Sequence, residues 1–272
     1  MSATLKPPVQ REPFVWSTSA KLIALGVLVY SVWVLAQIDI SAERLGVGLK
    51  QGAKFIARMF PPDLSKMDIL WSGISESLQI AVLATVLGIT LSLPLGLLAA
   101  RNMMPAGVSA LGRGVIAVAR SLHPVISAIL FVKAVGFGPL AGILALTVGS
   151  VGFIGKLFAD AIEEISPKQV EAVRATGASF MNVVLFGVLP QVLARFVGFC
   201  TYQLDSNLRN STMVGIVGAG GIGGTLFSAF QRFDYDFVAA ILLCIIAMIM
   251  VGEILATWVR RVFVERGRVD EE

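Results

Sequence analysis

The segment DAIEEISPKQVEAVRATGASFMNVVLFGVLPQ, residues 160–191, is the most polar stretch in the interior of the chain. It follows a block without charged residues at 134–155 and leads into a second, largely apolar block at about 183–205. A helix needs roughly 20 predominantly apolar residues to span a bilayer. The segment is therefore expected to join two membrane helices on one side of the membrane, and the rest of the chain is organised around it.

The composition indicates an all-α polytopic membrane protein. Of the 272 residues, 56% are hydrophobic and only 15% are charged, whereas soluble domains carry about 25% charged residues. The net charge of +4 does not indicate nucleic acid binding, because the basic residues lie in short segments between apolar blocks. A single histidine and two isolated cysteines, Cys200 and Cys244, exclude a histidine metal cluster and a disulfide framework.

About six transmembrane helices are expected from the apolar blocks. Arg120 and the pair His123-Pro124 interrupt the third block, and the sequence GFGP, which ends at Pro139, should break the chain before the fourth. The first block lacks a cleavage pattern and is interpreted as a retained membrane helix. The expected spans are 22–38, 77–100, 114–132, a helix beginning at about 140, 183–205 and 237–258.

Positive charges place both termini in the cytoplasm. The cytoplasmic tails are 1–19 and 262–272, and the external connection is 39–70. Basic residues in that connection do not follow the rule that positive charges lie on the cytoplasmic side. The sequence GLKQGAKFIARMF within it has the apolar spacing of an amphipathic surface helix. The basic residues that set the orientation are Lys6, Arg11, Lys21, Arg101, Arg113, Arg260, Arg261, Arg266 and Arg268.

A motif within 160–191 resembles the E-A-A–x3–G–x9–I-x-L-P signature of permease subunits in bacterial ATP-driven importers. Val173 replaces the second alanine of the signature, and Gly187 stands where isoleucine is usual. Small residues permit close approach of another protein, and a glycine lets the chain reverse. The resemblance implies a coupling helix at about 160–180 that contacts the ATPase subunit, with these positions in the motif: Glu171, Ala172, Val173, Gly177, Leu189 and Pro190.

The string MVGIVGAGGIGG, residues 213–224, contains the G-x-G-x-x-G order of a dinucleotide-binding turn. That turn requires a parallel sheet and an acidic residue roughly 20 positions further on. Spanning helices flank the string instead. The position where the acidic residue would be required lies in the apolar sequence ILLCII. We expect the glycines to serve helix packing or a gate at the outer side of the membrane. The residues concerned are Gly218, Gly220, Gly221 and Gly223.

Residues 71–261, the expected permease core, resemble the permease subunit of phosphonate ABC importers. The likeness rests on FVKAVGFGPLAGILAL, GKLFADAIEEI, EAVRATGAS, GVLPQV, YQLDSNLRNSTMVG and GAGGIG. Two departures are Asp205, where the family has glutamate, and His123-Pro124, where it usually has Pro-Glu. Both lie in expected pore-side helices, so phosphonate, phosphite, hypophosphite and related phosphorus oxyanions stay open as substrates.

The resemblance implies a type I ABC importer permease fold in the bacterial inner membrane. It also implies a homodimer of this subunit, a dimer of cytoplasmic ATPase subunits that bind ATP and Mg²⁺, and a periplasmic substrate-binding protein. This chain contains no G-x-x-x-x-G-K-[ST] phosphate loop. It is therefore expected to be a non-catalytic subunit that binds no cofactor itself.

Ionisable residues inside membrane helices indicate function by default. The candidates for the substrate path are the ionisable residues His123, Asp205 and Arg209, together with Asn207, which matches the family pattern. Asp205 and Arg209 are four residues apart and can pair along one helix face, so Arg209 is either half of a structural pair or the group that attracts a phosphonate anion. Arg120 and Lys133 are expected to snorkel to the interfaces.

Two other classes of function are weaker alternatives. A secondary transporter is expected to show an internal repeat, and the two halves of the chain show none. A membrane-embedded enzyme needs a nucleophile with a base, and Ser72, Ser75 and Ser77 are interpreted only as capping residues near a helix start.

Overall fold

Helices make up nearly all of the chain that the structure describes. The structure, a computed structural model, describes residues 17–37 and 41–261. A π-helical segment, Val183–Val188, precedes the ninth α-helix. In chain order the α-helices are α1 Thr18–Gln37, α2 Ala42–Ala57, α3 Met67–Ala99, α4 Ala106–Ser121, α5 Pro124–Val135, α6 Pro139–Glu163, α7 Pro167–Ala175, α8 Phe180–Asn182, α9 Leu189–Ile216, α10 Ile222–Gln231 and α11 Tyr235–Arg260.

The chain divides into two compact units after Ile56. In the first unit, α1 is long and apolar enough to span a membrane, and its large apolar side chains are exposed. The helix α2 has one apolar and one charged face, as predicted for an amphipathic surface helix. Lys6, Arg11, Arg266 and Arg268, and with them most of the two predicted tails, lie outside the described residues.

The second unit supplies the remaining membrane helices. Five helices of the described chain, counting α1, can span a membrane, and the number is six if the pair α4–α5 counts as one span. The predicted number of about six is confirmed with that pair included. The third expected block, 114–132, is divided between α4 and α5, which meet at an angle of 91°.

Backbone chemistry explains this bend and the break that follows α5. Pro124 lacks an N–H and disfavours helical geometry in the residue before it, so His123 caps α5 instead of continuing α4. Its Nδ1 accepts a hydrogen bond from the Val125 N–H at 3.3 Å. At GFGP, Gly136 and Gly138 adopt φ values of 92° and 125°, and Pro139 begins α6. The predicted break is confirmed.

Several helices are longer than hydropathy predicts. The helix α3 begins at Met67 rather than at about 77, and α9 continues through Asp205 to Ile216. The extensions carry polar residues such as Asp68, Glu76 and Asn210. A hydropathy criterion counts the apolar part of a helix, whereas the backbone ladder continues wherever polar side chains find partners or water.

The central helix of the second unit is α6, which packs against α3, α4, α5 and α9. Its contacts depend on small residues. At Gly88 on α3, an added Cβ would overlap the Cβ of Ser150 on α6, and at Gly155 on α6 it would lie 3.3 Å from Ile116 on α4. Helices surrounded by lipid gain stability mainly from close van der Waals contact, which small residues allow.

The start of α3 is joined to the start of α11 by an ionic cluster. Lys66 Nζ lies 2.7 Å from an Asp234 carboxylate oxygen and 3.6 Å from one of Asp63, and 4.5 Å from the centre of the Phe237 ring. The hydrogen bond from Lys66 holds the pKa of Asp234 below its ordinary value of 3.8. The charge of Lys66 is thus neutralised locally. Lys66 is therefore a weaker indicator of the side of the membrane on which this segment lies.

Replacing Gly88 with alanine is expected to destabilise the bundle by about 1–3 kcal/mol, the usual cost of overpacking. The new methyl group would overlap Ser150 at the crossing of two long helices. Thermal unfolding of the purified protein in detergent measures the effect.

The matched control is Gly114→Ala on α4, where an added Cβ meets nothing within 4 Å. Alanine there is expected to leave stability unchanged or to raise it by up to about 1 kcal/mol, because alanine is the better helix former. Equal midpoints for the two variants would contradict this account of the α3–α6 contact.

Candidate functional site

The short helix α7 presents one face to the protein and the other to solvent. Val170 is buried, and Val173 packs against the same apolar cluster, which includes Val183 and Val188 of the π-helical segment. Glu171 and Ala172 lie on the opposite, exposed face. The exposed face therefore combines a carboxylate with a small residue that leaves room for another surface.

Hydrogen bonds fasten α7 to the beginning of α9. The Ser166 N–H, just before α7, donates to the side-chain oxygen of Gln191 at 3.0 Å, and the Gln191 amide donates to the Gly187 carbonyl at 2.6 Å. Arg195 on α9 forms an ion pair with Glu164 at 2.6 Å. A Cβ at Gly187 would lie 3.5 Å from the Val170 Cα, an ordinary van der Waals distance, so the π-helical segment and α7 are in direct contact here.

Gly177 reverses the chain after α7. Its φ of 79° lies in the left-handed region that favours glycine, and its N–H donates to the Arg174 carbonyl at 3.0 Å. Leu189 and Pro190 are the first two residues of α9, where the missing proline N–H does least harm. The six residues of the motif thus occupy one helix–turn–helix element.

The glycines of 215–224 form a tight turn between α9 and α10. Gly218, Gly220 and Gly221 have φ values of 90°, 82° and 81°. The Gly218 carbonyl accepts a hydrogen bond from the Gly138 N–H at 3.0 Å, and a Cβ at Gly223 would overlap the Thr212 carbonyl oxygen. The turn is therefore packed against the start of α6 and the end of α9.

Ser77 takes part in this turn and is not a capping residue. Its hydroxyl oxygen accepts a hydrogen bond from the Ile222 N–H at 2.9 Å, and the pair is buried. The earlier start of α3 moves Ser77 into the third turn of the helix, so the interpretation of this serine as a cap is wrong. The hydroxyl supplies a partner for a backbone N–H at the start of α10, where no helical acceptor exists.

A buried polar network connects α3, α6 and α9. The Asn207 amide donates to Thr85 and to Ser150, each at 2.9 Å. The Gln203 amide donates to Ser150 and to the Asn207 oxygen, each at 3.0 Å. Sequence reasoning selected Asn207 and missed the other three. A hydroxyl or amide within an otherwise apolar span is the signal that would have found them.

The four predicted substrate-path residues do not converge. Asp205 and Arg209 form an ion pair with each other. Asn207 points away from them, because residues two positions apart on a helix are separated by about 200°. His123 caps α5 at the bend. Oδ1 of Asp205 is buried without a hydrogen-bond partner in the described chain, which makes the Arg209 contact its main source of compensation.

No group of three or more His, Cys, Asp or Glu side chains within 17–37 and 41–261 has the arrangement of a metal site. What the structure offers is a bundle of membrane helices with a polar interior, a tightly packed glycine turn and an exposed short helix tied to a spanning helix. This combination is typical of a membrane permease.

Comparisons with known proteins agree with this class. A family model described as binding-protein-dependent transport system inner membrane component matches residues 92–269. A putative phosphite transport system permease protein, HtxC of Stutzerimonas stutzeri, is 33% identical over 98% of this chain and 94% of its own length. A phosphate-import permease protein, PhnE of Mycolicibacterium smegmatis, is 42% identical over 75% of this chain and 38% of its own length.

A solved structure gives the same result for the fold. The MetNI methionine ABC transporter in inward-facing conformations contains a chain that matches with a TM-score of 0.66 and 25% identity, over 74% of this chain and 99% of that one. The chain belongs to the family of binding-protein-dependent transport system inner membrane components, the permease subunits of ABC importers.

Replacing Arg209 with glutamine is expected to destabilise the protein by about 1–3 kcal/mol. The change leaves the Asp205 carboxylate, which is 8% exposed, without its counter-charge. The loss should be smaller than for a fully buried pair, because Arg209 is half exposed. Thermal unfolding in detergent measures it.

The double variant Asp205→Asn, Arg209→Gln is the control. It removes both charges together, so most of the lost stability should return. Normal stability of the single Arg209→Gln variant would contradict a structural pair and favour the alternative, in which Arg209 attracts an anion.

Proposed function

We propose that this chain is the permease subunit of an importer that moves phosphonate or a related phosphorus oxyanion into the cell. The observation that carries the transport mechanism is the exposed face of α7, with Glu171 and Ala172, on a helix fastened to α9. The names of the relatives support the substrate class. One of them is named for phosphite and the other for phosphate, so the shared chemistry is a small tetrahedral anion of phosphorus.

The proposed assembly contains two copies of this chain in the bacterial inner membrane, with both termini in the cytoplasm. Two cytoplasmic ATPase subunits bind ATP and Mg²⁺, and a periplasmic binding protein delivers the substrate. The permease chain contributes no catalysis and binds no cofactor. Support comes from the family and from the similarity to a chain of the MetNI methionine ABC transporter.

In this proposal the ATPase contacts α7 through Glu171, Ala172 and Val173. Gly177, Leu189 and Pro190 shape the turn that connects α7 to α9. ATP-driven closure of the ATPase dimer draws the two copies of α7 together, and the bonds at Gln191 and Arg195 pass that movement to α9. The pore then changes from inward-facing to outward-facing, and it returns after hydrolysis.

The glycine turn and the polar residues are assigned to the path itself. Gly218, Gly220, Gly221 and Gly223 allow the α9–α10 turn to pack at the outer side, where a gate is required. Among the candidates for the path, Asn207 belongs to the buried network, and His123 lies at the bend. Asp205 and Arg209 compensate each other and hold α9 in place.

Ala172→Leu is expected to uncouple the permease from its ATPase. A larger side chain on the exposed face of α7 prevents close approach, so uptake should fall about tenfold or more, the loss expected when one central contact of an interface is disrupted. The readouts are uptake by cells and ATP hydrolysis by the purified complex. Membrane insertion should not change, because Ala172 makes no buried contact.

The matched control is Ala194→Leu, the same enlargement at an exposed alanine of α9. It should retain uptake within about twofold, as surface substitutions usually do. Normal uptake by Ala172→Leu would count against α7 as the coupling element.

Competition experiments test the substrate class. Cells that depend on this importer should take up radiolabelled methylphosphonate, and excess phosphite or phosphate should reduce uptake in the order of their affinities. Methionine should not compete, although the MetNI permease has a similar fold. Competition by methionine, without an effect of the phosphorus anions, would refute the substrate class and leave the permease fold intact.

A further inference from the structure

A cavity of about 210 Å³ lies between the α4–α5 bend, α6 and α9. Its polar lining comes from α4 and α9, and Gly149 of α6 forms part of the wall. One water takes up about 30 Å³ of liquid, so the cavity has room for a small anion together with a few waters. The polar lining residues are Arg120, Gln203, Ser206, Asn207 and Asn210.

The cavity lies near the middle of the spanning helices. An added Cβ at Gly152 would lie 2.8 Å from both the backbone nitrogen and the Cγ of Arg120, which fixes Arg120 beside the central part of α6. Gln203 and Asn207 are likewise near the middle of α9.

The guanidinium of Arg120 differs from those of the other three arginines on α4 and α9 in having no counter-charge. Arg113 pairs with Glu163, Arg195 with Glu164, and Arg209 with Asp205. No ion pair or hydrogen bond of the Arg120 side chain is present within the described residues. A charge at mid-membrane depth is costly, and residues that carry one usually mark a substrate or ion pathway.

The wall opposite Arg120 is held rigidly. Ser150 and Thr85 bind the amides of Asn207 and Gln203 from behind, and the Asn210 amide donates to Ser206 Oγ at 3.3 Å. A wall whose side chains are already ordered loses little entropy when a ligand binds. The acidic residue of this part of α9, Asp205, is not among the lining residues and is neutralised by Arg209.

We propose that Arg120, with Ser206 and Asn210, forms a mid-membrane subsite that binds the phosphorus oxyanion during its passage. The subsite rests on the proposed function and adds a binding step within the permease. A guanidinium presents a planar set of donors that matches two oxygens of a tetrahedral anion. The hydroxyl and amide of α9 supply further hydrogen bonds, and the fixed glutamine and asparagine close the back of the site.

Two substitutions test the subsite in the complete importer, with its ATPase and binding protein. Arg120→Gln removes the charge. Gly149→Leu fills the cavity, and a Cβ at Gly149 meets nothing within 4 Å, so folding should be preserved. Each should lower uptake of radiolabelled methylphosphonate about tenfold or more, the order expected when a charge-assisted hydrogen bond is lost. Stimulation of ATP hydrolysis by the liganded binding protein should persist.

Three further variants serve as controls. Arg120→Lys keeps the charge without the planar geometry and should give an intermediate rate. Lys133→Gln removes one positive charge from the neighbouring helix α5, outside the cavity. Gly114→Leu adds the same side chain as Gly149→Leu at an open position of α4. Lys133→Gln and Gly114→Leu should both transport within about twofold of the unmodified protein.

Normal uptake by Arg120→Gln, or by Gly149→Leu, would overturn the subsite while leaving the importer function in place. If Arg120→Gln also loses stimulated ATP hydrolysis, the assembly of the importer that carries this variant is disturbed. The uptake measured for Gly149→Leu then decides the question. Loss of uptake by Gly149→Leu supports the subsite. If the unmodified importer takes up no phosphorus oxyanion, the proposed function fails first and the subsite fails with it.

Discussion

The close approach of neighbouring helices to α6 is the constraint on which the rest of the bundle depends. At Gly142 an added Cβ would overlap the Ala219 carbonyl oxygen of the glycine turn, and at Gly152 it would press on the backbone of α4. Gly88 allows the same proximity from the side of α3. Lipid offers no hydrophobic force between helices, so these contacts supply van der Waals attraction that larger residues would prevent. They also bring Ser150 within hydrogen-bond reach of Asn207 and Gln203.

The sequence was sufficient for the fold class because its strongest signals are local. Uncharged blocks favour the membrane through their own apolar side chains, and the proline at position 124 and the glycines before Pro139 act through their own backbone chemistry, so none of these signals needs a partner. Pro124 explains where the chain bends, whereas the size of the angle between α4 and α5, 91°, depends on how both helices pack against α6. The length of α9 was underestimated for a related reason. Its polar residues are compensated by side chains on α3 and α6, which a single-helix criterion does not include.

The candidate site could likewise be predicted in part from the sequence. The motif at Glu171–Pro190 has its own spacing, and the structure assembles it as one helix–turn–helix element. His123, Asp205 and Arg209 were selected as ionisable residues and Asn207 from the family resemblance, and neither criterion reveals which side chains pair. Asp205 and Arg209 form an ion pair with each other, whereas the Arg120 side chain has no ion pair or hydrogen bond among the residues that the structure describes and lines a cavity. Only the three-dimensional arrangement separates a charge that stabilises the fold from one that remains available to a ligand.

The attachment of α7 to α9 has a mechanical consequence. Val170 packs on the π-helical segment and Ser166 is bonded to Gln191, while Glu164 at the end of α6 is bonded to Arg195, so packing and hydrogen bonds join α7 to the start of α9 in addition to the chain itself. In the proposed mechanism, a force applied to α7 reaches α9 through these contacts. In that mechanism, the displacement of α7 and the tilt of α9 therefore occur together.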